Sequence, residues 1–196
     1  MNKIVVAVIV AATAAIVATP AYAQSDQPFT GFRLEAIGGW DRVQVDGDHD
    51  NGVTFGAGVG YDFQLGGAVI GIEGEASDST TKECAGDVLE IGDELCIKAG
   101  RDFYAGARVG AVVGTSTLLY AKGGYTNARA TVDYDAAPAG FLTDEEVSDN
   151  LDGYRVGVGA EHKLGQNAFL KAEYRYSNYE GSFARHQVVG GVGFRF

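Results

Sequence analysis

Residues 52–64 read GVTFGAGVGYDFQ, and every second side chain is apolar: Val53, Phe55, Ala57, Val59, Tyr61 and Phe63 share one face, while Thr54, Gly56, Gly58, Gly60 and Asp62 share the other. A period of two marks an extended strand, because successive side chains leave the pleated backbone on opposite sides. The same split recurs in GFRLEAIGGWDR (31–42), AVIGIEGEAS (68–77), DFYAGARVGAVV (102–113), LLYAKGGYT (118–126), GYRVGVGAEHK (153–163), AFLKAEYRYS (168–177) and QVVGGVGFRF (187–196). Eight strands of about 10 to 14 residues follow, longer than the usual five or six. The Gly- and Asn-containing links at 65–67, 114–117 and 164–167 suit tight hairpin turns. The links at 45–51, 79–98, 133–150 and 181–184 are expected as loops, the first three acidic. Alternating tight turns and loops describe an all-β, eight-stranded, antiparallel up-and-down barrel.

Two barrels fit this pattern, and they put opposite faces inside. A soluble barrel would bury the apolar set, whereas a transmembrane barrel turns that set to lipid and keeps charges and glycines within. Strands of this length can cross a bilayer when tilted. Aromatic residues sit toward strand ends on the apolar face, as interfacial girdles do: Phe32, Trp40, Tyr61, Phe63, Phe103, Tyr125, Tyr154, Tyr176, Phe194 and Phe196. Charges of both signs fall at similar depth on the other face and could pair. A soluble domain also gains nothing by ending on an exposed phenylalanine. The apolar face is therefore expected to meet lipid, and pairing of the last strand with the first would leave no open edge in hydrocarbon.

The first residues, MNKIVVAVIVAATAAIVATPAYAQ, carry Lys3 as their only charge, an apolar run, and Ala21-Tyr22-Ala23 ahead of Gln24. This is the layout of a cleavable signal peptide over 1–23, leaving a short extension at 24–30 before a barrel domain at 31–196. Removing Lys3 takes the formal charge from -11 to -12. An exported, acidic chain repels nucleic acid, which is excluded as a partner. Cys84 and Cys96 are expected to form a disulfide in an oxidising compartment, closing a loop of about 13 residues worth about 3 kcal/mol in the chain-entropy model. With no neighbouring histidine, the two cysteines are an incomplete metal set.

The ordered series LLYAKGGYTNA, GYRVGVGAEHKL, FLKAEYRYSNY and GGVGFRF, following the signal peptide, resembles the small outer-membrane barrels of the outer-membrane protein A-like and opacity-like group. The likeness extends to the porin-family surface antigens of alphaproteobacteria. It implies a bacterial outer-membrane location with both termini periplasmic, and lipid, lipopolysaccharide and the barrel-assembly machinery as partners. Val192, Phe194 and Phe196 match the C-terminal signature that the assembly machinery reads. The sequence departs from some relatives in stopping at the barrel, with no peptidoglycan-binding domain, and in its short first and fourth outer links.

An eight-stranded barrel is just wide enough for side chains to fill it. Glu35, Glu73, Arg108, Lys122 and Glu173 come to similar depth, with Arg155, Glu161, Lys171 and Arg175 beside them, and such a set must pair. Three apparent motifs dissolve. DGDHDNG (46–52) begins like an EF-hand loop, but Ala57 stands where a bidentate Glu is needed. Gly106, Gly110 and Gly114 have GxxxG spacing, but on a strand. Lipid A deacylases of similar shape use a His-x-Ser-Asn strand motif, and here Arg175 precedes Ser177 and Asn178, so the hydroxyl has no base. His49, His162 and His186 are scattered. No catalytic, metal or cofactor site is expected. The expected function is a structural, surface-facing barrel with a filled lumen that contributes to envelope integrity. The alternatives are a narrow porin-like channel and an adhesin or antigen acting through its loops.

Overall fold

A computed structural model describes residues 28–45, 48–80, 82–86, 94–135, 145–180 and 183–196, so the signal-peptide segment lies outside the described residues. Among the described residues, nine strands form one antiparallel sheet: β1 (Gly31–Val45), β2 (Asp48–Leu65), β3 (Ala68–Ser79), β4 (Lys82–Gly86), β5 (Glu94–Val113), β6 (Thr117–Asp135), β7 (Glu145–Leu164), β8 (Ala168–Tyr179) and β9 (Phe183–Arg195). Both β3 and β4 pair with β5, at Ala68–Ser77 and Lys82–Gly86 respectively. They are two segments of a single stave, and the barrel has eight staves. Pairing of β1 with β9, from Arg33 opposite Arg195 to Val45 opposite Phe183, makes the seam between the chain ends. With β3 joined to β5, the sheet closes on itself.

The two rims differ. At one, Gly66, Gly114 and Gly165 take positive φ in tight turns, a conformation glycine adopts without Cβ strain, and both described chain ends lie at this rim. At the other rim the strands run further than their side-chain pattern suggests. Much of the expected 79–98 loop is a hairpin in which β4 pairs with Glu94–Lys98 of β5. The expected 133–150 loop gives residues to both β6 and β7, and β1 and β2 are separated only by residues 46–47. Backbone hydrogen bonding needs no apolar face, so these acidic extensions carry no period-two signal. Strands β5, β6 and β7 reach 20, 19 and 20 residues as a result.

Burial follows the alternation strictly. On β1, Phe32, Leu34, Trp40 and Arg42 are exposed outward, and Arg33, Glu35, Ile37 and Asp41 are buried inside. The outer wall displays Ile72, Val109, Val158 and Val192 to the surroundings, an apolar surface far larger than water tolerates. On β2 the outward apolar set runs from Val53 to Leu65, about 40 Å of strand, or about 28 Å of height at a tilt of about 45°. That is the thickness of a membrane hydrocarbon core. Trp40, Phe103, Tyr125, Tyr154 and Tyr174 ring the hairpin rim, while Phe32, Tyr61, Phe63, Phe194 and Phe196 ring the turn rim.

The seam leaves one position no freedom. A Cβ on Gly39, which faces inward, would strike the Val188 carbonyl and come within 2.6 Å of the Val189 Cα, both backbone atoms of the partner strand. At the neighbouring Gly38, facing outward, the nearest atom would be 3.8 Å away. Gly39→Val is expected to prevent closure and abolish the compact, heat-modifiable band on a detergent gel, whereas Gly38→Val keeps it. Equal behaviour of the two variants would contradict this account of the seam.

Candidate functional site: the ionic lumen

The barrel's interior is largely ionic because many inward positions carry Arg, Lys, Asp or Glu, with Tyr, Gly and a few apolar groups such as Ile37, Val69, Leu118 and Phe169 between them. Glycines on the lumen face of β2 give the longer side chains room: a Cβ on Gly58 would fall 2.8 Å from Glu35 Oε1, and one on Gly60 would fall 2.9 Å from Arg33 Nη2. At the turn rim, Arg108 grips Asp62 bidentately, with Nε at 2.8 Å from Oδ1 and Nη2 at 2.6 Å from Oδ2, and reaches Glu161 at 3.1 Å. Arg195 Nη2 lies 2.6 Å from Glu161 and 3.1 Å from Asp62. Arg33 joins Asp62 and Glu35, each at 3.2 Å, to Glu73.

Midway up, the Lys122 ammonium lies 2.9 Å from Glu73 and 3.0 Å from Glu173. Lys171 donates to Glu35 at 2.6 Å, and Tyr120 donates to Glu173 at 2.7 Å. Toward the hairpin rim, Arg175 and Arg155 both reach Glu75, and Arg155 continues to Asp102. Asp102 also accepts hydrogen bonds from Thr126 at 2.6 Å and Tyr179 at 2.7 Å, and Arg185 lies 3.2 Å away. Arg185 ends the chain on Asp41. The rings of Tyr104 and Tyr120 carry cations over their faces: Lys122 at 4.6 Å on Tyr104, and Arg108 at 5.0 Å on Tyr120.

These contacts join Arg33, Arg108, Lys122, Arg155, Lys171, Arg175, Arg185 and Arg195 to Glu35, Asp41, Asp62, Glu73, Glu75, Asp102, Glu161 and Glu173 in one connected network. Eight positive groups face eight negative ones, so the described network is neutral. All nine sequence-predicted lumen residues lie in it. Seven members outside that set are Arg33, Asp41, Asp62, Glu75, Asp102, Arg185 and Arg195. Their signal was the same parity on the polar face. Arg33, Asp62, Arg185 and Arg195 lie near strand ends, where depth could not be judged before the register was known.

The turn rim is sealed by a residue assigned from sequence to an extension ahead of the barrel. Phe29 is fully buried in a cluster with Val69, Leu118 and Tyr120. Its N–H donates to Gln64 Oε1 at 3.0 Å, its carbonyl accepts from Arg195, and the Arg195 guanidinium lies 5.5 Å over its ring. Lys163 Nζ donates to the Pro28 carbonyl at 3.0 Å. The packed unit therefore includes Pro28–Thr30, ahead of the strand that begins at Gly31.

Other sequence candidates are placed apart. Ser177 is buried in the lumen, and its hydroxyl accepts from Arg155 Nε at 2.8 Å, so a guanidinium rather than a base engages it. His162 and His186 lie on the outer wall near opposite rims, hydrogen-bonded to Thr117 and Tyr174 respectively. Val192, Phe194 and Phe196 all face outward along the last strand. Cys84 and Cys96 are direct register partners of β4 and β5, and no cysteine is free among the described residues. Of the acidic loop residues, Asp46, Asp87, Glu90, Asp93 and Asp144 lie outside the described residues.

Removing one partner from a buried ionic network costs more than the pair itself contributes, because a charge is left without a counterion. Asp102→Asn is expected to lower unfolding stability in detergent by about 3–5 kcal/mol. Asp149→Asn, at an exposed position, should stay within about 0.5 kcal/mol of the parent. Urea titration of the folded band checks both.

Comparison with known proteins agrees with this geometry. The 25 kDa outer-membrane immunogenic protein of Brucella ovis is 29% identical over 141 residues, covering 72% of this chain and 62% of that protein, so the chain spans less than two thirds of that relative's length. Neisserial surface protein A superposes with a TM-score of 0.60 at 16% identity, covering 85% of this chain and 98% of its own. Ail of Yersinia pestis, solved in complex with the heparin analogue sucrose octasulfate, gives 0.58 at 17% identity, covering 85% and 99%. At these identities the two structures share the fold. The model of the outer membrane protein beta-barrel domain matches residues 9–196, nearly the whole length, and the chain belongs to that family.

Proposed function

We propose that this protein is a structural and surface-presenting barrel of the bacterial outer membrane, with a solid lumen, its turn rim and both termini toward the periplasm, and its hairpin rim toward the exterior. The observation that carries this reading is the neutral network of sixteen charged side chains filling the lumen, sealed at the turn rim by Phe29. A solid barrel contributes wall area and anchorage to the envelope rather than a passage. The role proposed is non-enzymatic, in keeping with the outer-membrane barrel family to which the chain belongs. Val192, Phe194 and Phe196, on the lipid side of the closing strand, would present the assembly signal before closure.

One further observation favours a second role as surface antigen or adhesin. Beyond the point where β8 ends at Tyr179, strands β4 to β7 continue as a four-stranded sheet, with Cys84, Cys96, Asp133 and Glu146 in one row. Such a sheet displays a large, regular surface above the membrane. The Cys84–Cys96 pair would staple it, and the acidic residues of the 79–98 and 133–150 segments would bridge to lipopolysaccharide through divalent cations.

Heat-modifiable migration together with recovery in the outer-membrane fraction tests the placement, and a water-soluble monomer without a heat shift would refute it. In planar bilayers the purified protein is expected to show no sustained opening wide enough for sugars. Steady conductance would instead establish the narrow-channel alternative. Alkylation followed by mass spectrometry should find Cys84 and Cys96 protected until reductant is added, and labelling without reductant would exclude the staple. Deleting residues 82–97 should abolish any host-molecule binding while leaving the heat shift in place.

A further inference from the structure

The outer wall carries one row of polar side chains that the barrel itself does not need. Asn51 of β2, Arg42 of β1, His186 of β9 and Tyr176 of β8 are successive register partners across three strand pairs. One step toward the barrel's middle, the corresponding row is Val53, Trp40, Val188 and Tyr174. A polar row borders an apolar one, with Trp40 73% exposed at the boundary. Trp and Tyr favour the level where hydrocarbon gives way to headgroups, so Arg42 and His186 stand at headgroup depth.

The two rows border a depression of about 290 Å³ lined by Trp40, Asp41, Arg42, Asn51, Tyr174, His186 and Val188. Its donors are held in place. Arg42 Nε donates to Asn51 Oδ1 at 3.1 Å, and His186 Nδ1 lies 2.7 Å from the Tyr174 hydroxyl with its ring against Tyr176. Arg42 makes no ion pair among the described residues. Asp41, next in sequence, is turned into the lumen and bound by Arg185, so it does not neutralise the row. A guanidinium fixed through Nε still offers its two terminal nitrogens, a fork that matches phosphate.

We propose that this depression binds the phosphorylated headgroup of an anionic lipid in the leaflet at the hairpin rim. Arg42 would take the phosphate, His186 would donate alongside it, and Trp40 with Tyr174 would pack against the adjoining sugar or upper acyl chain. The site rests on the reading that the barrel spans a membrane, and it deepens that reading by naming a lipid contact. Charge asymmetry supports the occupant. The exposed guanidiniums among the described residues, Arg42, Arg101 and Arg129, all lie toward the hairpin rim, whereas at the turn rim the half-buried Lys163 is held by the Pro28 carbonyl. Cations gathered at one edge of an apolar band complement a leaflet rich in phosphate.

Trp40 is the only tryptophan in the chain, so its emission reports on this depression alone. The barrel in nanodiscs of zwitterionic lipid is titrated with bisphosphorylated lipid A, with the same lipid dephosphorylated, and with inorganic phosphate. A saturable Trp40 response to the phosphorylated lipid only is expected, weakened about tenfold or more in R42Q/H186Q and unchanged in R101Q. An equal response to dephosphorylated lipid, an equal response to inorganic phosphate, wild-type affinity in R42Q/H186Q, or equal weakening in R101Q would each overturn the site. Native mass spectrometry of the wild-type protein asks the same question without a variant: one phosphorylated lipid A retained in preference to its dephosphorylated form supports the site, and equal retention refutes it. Failure of the wild-type protein to enter nanodiscs would instead refute the membrane barrel, and the site with it.

Discussion

A charge inside a barrel this narrow must find an opposite charge, because too little water reaches it to solvate it. That constraint organises the molecule. It explains why eight cations and eight anions share one network, why tyrosines sit beneath the cations, and why glycines occupy the lumen face of β2, where Glu35 and Arg33 need the room. The outer wall is then left to apolar side chains. Closure follows from the same logic applied to backbone: within hydrocarbon an unpaired strand edge would leave a row of N–H and C=O groups unsatisfied, so β1 and β9 must meet.

The two rims divide the remaining tasks. At the turn rim the chain folds back through short glycine turns, and Phe29 caps the ionic column with an apolar plug. At the hairpin rim the sheet rises above the barrel wall, and an arginine–histidine row marks the edge of the apolar band. A solid column between a sealed rim and an elaborated one suits a protein that holds surface structure in a membrane. The described cations divide in the same way: those in the lumen are held by carboxylates, whereas Arg42 and Arg101 on the outer wall are held by the side-chain amides of Asn51 and Asn150.

Much of this was legible in the residues alone, and the reason is geometric. A strand's side-chain period does not depend on what surrounds it, so Val53 to Phe63 could be assigned to one face and Asp62 to the other before any register was known. The resemblance of the ordered motifs to small outer-membrane barrels agreed with the lipid-facing choice, and the family match supports it. Legibility failed where side-chain pattern and backbone pairing part company. The stretch from Lys82 to Gly86 carries no apolar alternation, yet it pairs with β5 because backbone hydrogen bonds need only a neighbouring strand. Arg185 and Asp102, close to expected loops, gave no hint of sharing a carboxylate–guanidinium contact.

By itself, then, the sequence determined the number of staves, the face each residue presents and the closing of the last strand on the first, since alternation and turn chemistry are local properties. Only the tertiary structure decided which charge meets which, that Phe29 enters the lumen from outside the expected barrel, and that Asn51, Arg42, His186 and Tyr176 align in one row. Each of these depends on the stagger between strands distant in the chain, and stagger is set by the closed hydrogen-bonded ring as a whole rather than by any one segment within it.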